Sequence, residues 1–374
     1  MRGDPERTNQ PGPSQHGGNL AQRAAALGVS PSRLLDASAS LAPLRAAVAW
    51  QARLAAAQLA GLRAYPDRHH GALRQTIAGV HGLDPAWVLP GNGAAELFTW
   101  AARDAAAAGV SALPAPGFAD YGRALDCWGG ASRAWPLPLH WGGAFPQILP
   151  PPPQAQVLWI TNPHNPTGQL WSRESIAPLL AGRALVIVDE AFLPLVPGGE
   201  AQSLIPLLAS QPNLVVVRSL TKLYGLAGLR LGYALGAPER LARWARWRDP
   251  WPLNGLAIEL GVRLLADPER YRRHCAWVQR WSQREGDWLA RRLGTLAGPA
   301  GGLIPLPSAA NYLLVRAETT LLPLREALEQ RHGVLLRDCR SFDGLDDRWL
   351  RIGVQSRRGN RRLYKALAES WGKL

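Results

Sequence analysis

The chain has 374 residues, 47% of them hydrophobic, and 42 Lys+Arg against 28 Asp+Glu. This composition supports a sizeable core and excludes a chain that is mostly disordered. No uninterrupted apolar run reaches the roughly 18 residues of a membrane-spanning helix, and the polar start MRGDPERTNQPGPSQ lacks the apolar core of a secretory signal.

Residues 1–18 are polar and rich in Gly and Pro and read as an arm. Helical stretches follow, notably Ala46–Leu62, until Tyr65-Pro66-Asp67 breaks the pattern. A short helix is expected over Leu73–His81. An extended piece at Val88–Leu89 leads through Gly91-Asn92-Gly93 into a helix over Ala94–Ala108, and Val110–Leu113 reads as a strand. Pro136–Pro153 is a loop, or a strand within one. Val157–Ile160, Leu185–Val188 and Leu214–Val217 are short apolar runs bounded by turn residues, the pattern of buried strands, with helices such as Ser175–Leu180 between them. Residues 239–292 read as helical and Trp-rich. Strands are expected at 311–316, 333–337 and 349–354, with a helix over Pro323–Arg331. Alternating strands and helices predict an α/β fold with a mostly parallel sheet flanked by helices, followed by a smaller α+β C-terminal domain. The expected division is 1–45 for the arm and first segment, 46–250 for the large domain and 251–374 for the small one.

The net charge of +14 is lopsided. Residues 1–217 carry 14 basic and 13 acidic side chains, and the remainder carries 28 and 15. No basic–aromatic binding motif accompanies the C-terminal arginines, so a solvated basic face is expected, with neither nucleic acid nor membrane as partner. Cys127, Cys275 and Cys339 are odd in number and widely spaced, without a disulfide framework or metal-ligand spacing. The expectation is a reduced, cytoplasmic protein with no metal site.

The chain has only three lysines, Lys222, Lys365 and Lys373, and uses Arg almost everywhere else. A lysine kept in mid-chain suggests that an amine is required there, because a guanidinium stays protonated and does no amine chemistry. Asn165, Asp189 and Lys222 follow three successive apolar strands, where open parallel sheets place their ligand sites. A lysine with an acid and an amide nearby suits a cofactor aldehyde: the amine forms a Schiff base, and the acid keeps a pyridine nitrogen protonated.

The segments Asn162-Pro163-His164-Asn165-Pro166-Thr167-Gly168, Asp189-Glu190-Ala191-Phe192 and Ser219-Leu220-Thr221-Lys222-Leu223-Tyr224-Gly225-Leu226-Ala227-Gly228-Leu229-Arg230 resemble those of fold-type I pyridoxal-phosphate enzymes. The resemblance is to the class I/II aminotransferase group, especially its histidinol-phosphate aminotransferase branch, over about residues 14–366. It implies pyridoxal 5'-phosphate as cofactor, with Lys222 as the Schiff-base lysine, Asp189 against the pyridinium nitrogen and Asn165 on the phenolic oxygen. Phe118 matches the aromatic that stacks on the ring. Gly93 and Ala94 at a helix start, with Ser219, Thr221 and Arg230, match the phosphate cup. Tyr65 matches the residue that reaches a neighbouring subunit's cofactor phosphate, so a homodimer is implied. Phe192 stands where many relatives have Tyr, which removes one phenolate donor.

Arg351 matches the arginine that binds a substrate carboxylate, and Arg337 sits on a neighbouring strand. Two guanidiniums near one site suit a substrate with two anionic groups. His16-Gly17-Gly18-Asn19 and Leu34-Leu35-Asp36-Ala37-Ser38 resemble the threonine-phosphate decarboxylases of cobalamin biosynthesis. In that reading His16 and Gly17 join Arg337 and Arg351 in gripping the substrate. Family members continue with an Asn-rich stretch, where this chain has Ser38-Ala39-Ser40-Leu41-Ala42-Pro43 and lacks both amides. The expected activity is decarboxylation of threonine phosphate to 1-amino-2-propanol phosphate. The alternative is an aminotransferase acting on a phosphorylated substrate such as histidinol phosphate.

Overall fold

The computed structural model describes residues 17–57, 63–298 and 301–373. Its main sheet has seven strands: β1 (Val88–Asn92), β2 (Ser111–Ala115), β3 (Ser132–Pro136), β4 (Val157–Thr161), β5 (Leu185–Asp189), β6 (Leu214–Ser219) and β7 (Leu231–Gly236). They lie in the order β1-β7-β6-β5-β4-β2-β3. Only β7 runs against its neighbours, and the other six point the same way. Every residue of β4, β5 and β6 is buried, as expected of parallel strands covered on both faces.

The second sheet is antiparallel and smaller. It comprises β8 (Ile304–Pro305), β9 (Tyr312–Arg316), β10 (Arg337–Asp338) and β11 (Trp349–Gly353), in the order β8-β9-β11-β10. A 26-residue helix connects the two cores. Among the helices named below, α1 is Ala46–Ala56, α2 Gly93–Ala108, α3 Asp120–Asp126, α4 Leu220–Tyr224 and α5 Pro268–Leu293. The long helix α5 buries Tyr271, Cys275 and Val278 in the core of the main sheet. Its other end buries Leu289 and Leu293 in the core of the smaller one. It starts sharply because the Asp267 side chain accepts from the amides of Glu269 and Arg270 and Pro268 takes the first helical position.

The N-terminal segment bridges the two parts. Leu35–Asp36 pairs in parallel with Val334–Leu335, and Gly353 N–H donates to Ala37 O at 2.7 Å. Seven residues after Leu35, Ala42 N–H donates to Lys222 O at 2.9 Å.

The α/β architecture expected from the alternating pattern is present, with local differences. The stretch 239–292 is three helices, Pro238–Trp247, Gly255–Leu265 and α5, because prolines at 250, 252 and 268 cannot continue a helix. Helix α1 ends at Ala56, and the rest of its expected range to residue 62 lies largely outside the described residues. Strand β3 was not expected, since Ser-Arg-Ala-Trp-Pro carries little apolar signal; it is an edge strand with four of its five side chains exposed. Among the described residues, no helix is long and apolar enough to cross a membrane.

Candidate active site

Strands β1, β4, β5 and β6 all end at the same edge of the main sheet, where a cavity of about 360 Å³ opens. Lys222 lies on α4, the single short turn that follows β6. The Ser219 hydroxyl starts that turn by accepting from Thr221 N–H. The ammonium of Lys222 sits 5.5 Å from the centre of the Phe192 ring. Burial, with Arg351 nearby, pulls its pKa down to about 8, against the opposing charge of Asp189.

Asp189 is the last residue of β5. One carboxylate oxygen accepts from Ala191 N–H at 2.9 Å, the other from Tyr121 Oη at 2.7 Å. Tyr121 in turn lies 2.8 Å from Thr161 Oγ1 at the end of β4. Burial raises the Asp189 pKa, while Tyr121, Ala191 and the charge of Lys222 act to lower it.

Asn165 comes from the loop after β4, which its own side chains hold in shape. Asn162 exchanges two hydrogen bonds with Trp171, His164 Nδ1 lies 2.8 Å from Thr167 Oγ1, and Tyr312 of β9 donates to His164 O. The Asn165 Oδ1 accepts from Arg351 Nη1. Phe118, half-buried, meets Phe98 and Tyr121 edge to face at 6.4 and 5.5 Å.

The phosphate cup gathers at the start of α2. Gly93 has φ +75°, and a Cβ there would lie 2.5 Å from the Arg230 guanidinium. Arg230 itself has φ +56°, a left-handed conformation that is costly without glycine. In β7, a Cβ on Gly232 would lie 2.9 Å from both Ala94 N and Arg218 O, so only glycine lets the first turn of α2 lie against the sheet. Free helix-start amides, the Ser219 and Thr221 hydroxyls and one guanidinium form a donor set suited to a dianion. With a buried carboxylate and an enclosed amine beside it, the site fits pyridoxal phosphate.

Arg337 and Arg351 are directly opposite each other on β10 and β11, 3% and 7% exposed. Arg351 Nη2 donates to Ser38 O at 3.0 Å, and its Nε has no hydrogen-bond partner among the described residues. Arg337 Nη2 donates to Ser341 Oγ at 2.5 Å, and its pKa falls to about 10 through burial and the charge of Arg351. Like charges paired across strands oppose each other, and burial strengthens the opposition. Among the described residues, the cavity wall carries Lys222, Arg230, Arg337 and Arg351 against Asp120 and Asp189.

The structure brings together Lys222, Asp189, Asn165, Phe118, Ala94, Ser219, Thr221, Arg230, Arg337, Arg351 and Gly17 on one wall, with Gly93 directly beneath Arg230. It does not place Tyr65 there. That side chain is 79% exposed and stacks on Trp251 at 4.4 Å. His16 lies outside the described residues. The sequence reading missed Tyr121 and Thr161, which support Asp189, and the backbone of Ser38, which receives Arg351. An aromatic on a short helix and a threonine closing a strand carry no separate signal. Among the described residues no cluster suited to a metal ion is present.

The family model for aminotransferase class I and II matches residues 32–367. The chain is 36% identical to a threonine-phosphate decarboxylase of Salmonella typhimurium, over 95% of this chain and 96% of that one. It is 34% identical to a histidinol-phosphate aminotransferase of Symbiobacterium thermophilum, over 85% of each. The crystal structure of L-threonine-O-3-phosphate decarboxylase from Porphyromonas gingivalis superposes with a TM-score of 0.74 at 26% identity, covering 88% of this chain and 97% of that one. On the extent of these matches, the chain belongs to the aminotransferase class I and II family.

Proposed function

We propose that the chain is a pyridoxal-phosphate-dependent decarboxylase of L-threonine O-3-phosphate, forming 1-amino-2-propanol O-2-phosphate for cobalamin biosynthesis. The observation that carries this reading is the cross-strand pair Arg337–Arg351, two buried cations beside Lys222 with room for a substrate that bears two anionic groups. The 36% identity to a threonine-phosphate decarboxylase supports the same choice.

When bound, the cofactor supplies a conjugated ring that accepts the electron pair released from a bond at the substrate Cα. Ser219, Thr221, Arg230 and the start of α2 would hold its phosphate, and Asp189, fixed by Tyr121 and Ala191, would pair with its ring nitrogen. The protein selects the bond by orientation. Arg351, already tied to Asn165 and Ser38 O, would take the substrate carboxylate and Arg337 the phosphate, and gripping the two anionic groups separately would fix which bond at Cα is presented for cleavage. The Lys222 amine, whose pKa burial draws down to about 8, would be placed to deliver a proton to Cα after carbon dioxide leaves.

The active unit is a homodimer in this proposal, with exposed Tyr65, stacked on half-buried Trp251, against a second copy. The three free cysteines suit the reducing cytoplasm.

The test is incubation of holoenzyme with threonine phosphate, with carbon dioxide release as the readout. Arg337→Ala is expected to cost activity on the ester at least tenfold more than activity on free threonine, in line with roughly 1.5–3 kcal/mol for a charge-assisted contact. Arg351→Ala should affect both substrates alike, since both carry a carboxylate. Amino transfer from histidinol phosphate to 2-oxoglutarate without carbon dioxide release would move the assignment to an aminotransferase.

A further inference from the structure

A second cavity, of about 420 Å³, lies between the start of α1, the end of α4 and the first half of α5. Four arginines line it, Arg45, Arg270, Arg273 and Arg280, and no carboxylate does. Its aromatic wall is Tyr224, His274 and Trp277. The arginines are only partly engaged with acids. Arg273 reaches Asp267 and Glu269 only at 4.0 and 3.6 Å on the solvent side, Arg270 donates to the carbonyl of Arg263, and Arg280 has no ion pair among the described residues. Arg45 lies 4.7 Å over the Trp277 ring and 3.4 Å from His274 Nδ1.

His274 contributes a connection, not a charge. Its Nε2 is 3.1 Å from Leu223 O, which can only accept, so Nε2 carries the proton and Nδ1 accepts from Arg45. Burial lowers its pKa, which keeps the ring neutral, and Arg45 adds to the effect. The Tyr224 ring stacks on the imidazole at 4.4 Å.

Both ends of this relay meet the catalytic cavity. Leu223 follows Lys222 directly. Arg45 closes a segment whose residues Ser38 to Leu41 line the catalytic cavity and whose Ala42 binds Lys222 O.

We propose that the second cavity binds a compact polyanion, a phosphate compound or a polycarboxylate, and that its occupancy is transmitted to the active site through Arg45 and the 38–45 segment. Four guanidiniums line one cavity that no carboxylate lines, so a multiply charged anion there offsets their mutual repulsion.

Calorimetric titration of the holoenzyme with pyrophosphate, and separately with citrate, tests the binding without recourse to turnover. The expected result is a saturable site that persists in Arg337→Ala and weakens about tenfold or more in the exposed-surface variant Arg280→Glu, by loss of a charge-assisted contact. Binding of pyrophosphate alone identifies a phosphate source, and binding of citrate as well identifies a general polyanion site. In rate assays, pyrophosphate is expected to change turnover in a pattern not competitive with substrate, and Arg280→Glu to abolish that effect. No saturable binding at millimolar pyrophosphate, or binding lost in Arg337→Ala and intact in Arg280→Glu, overturns the proposal.

Discussion

Lys222 is one of three lysines in the chain, and the structure encloses it between Phe192, Asp189 and Arg351. Lys222→Ala is expected to remove both turnover and the visible absorption of lysine-bound cofactor, as measured on purified protein. Lys222→Arg should do the same, because a guanidinium is not nucleophilic. An unchanged spectrum in either variant would count against Lys222 as the attachment point. Rarity made this residue legible in the sequence. Tyr121 had no such signal, since its role depends on a contact with Asp189, 68 positions away. Removing that donor with Tyr121→Phe takes a hydrogen bond from a charged acceptor, so kcat is expected to fall about tenfold, with little change in the KM for substrate. A KM effect with normal kcat would place Tyr121 in substrate binding instead.

At the level of elements, the hydrophobic pattern located strands but did not give their direction. A buried apolar run looks the same whether it runs with or against its neighbours, so the reversal of β7 was not readable. The two-residue strand β10 was too short to show that Arg337 would fall opposite Arg351. Gly232 shows what the reversed strand makes possible. A methyl group there meets backbone on both sides, at Ala94 N and Arg218 O. Neither can move as a side chain does, so Gly232→Ala is expected to cost about 1–3 kcal/mol of stability and to displace the start of α2. Denaturant titration reads the first effect, and a weaker affinity for pyridoxal phosphate the second. A variant with wild-type values for both would mean that α2 adjusts freely.

At the scale of the whole molecule, the two cores are held together by α5 and by the N-terminal segment that runs from Val334 to Lys222 O. The alternation of strands and helices made the two-part plan readable, but the bridging role of residues 35–45 rests on contacts across as many as some 300 positions. The exposed Tyr65 on Trp251 leads to a test of assembly: sedimentation should show a dimer, and Tyr65→Ala should weaken cofactor retention while the chain stays folded. Full retention of cofactor by a monomer would contradict the shared site.

The four cations gathered against two acids around the catalytic cavity have a consequence for the life of the protein. Until an anion arrives, their repulsion subtracts from the folding free energy. Cofactor phosphate relieves the part of that penalty that falls on Arg230 and adds its own binding energy, about 2.7 kcal/mol at a free concentration one hundred times Kd. Freshly made chains in a cell short of vitamin B6 would therefore be cleared by proteases faster than loaded ones, so vitamin supply would set the abundance of the enzyme as well as its activity.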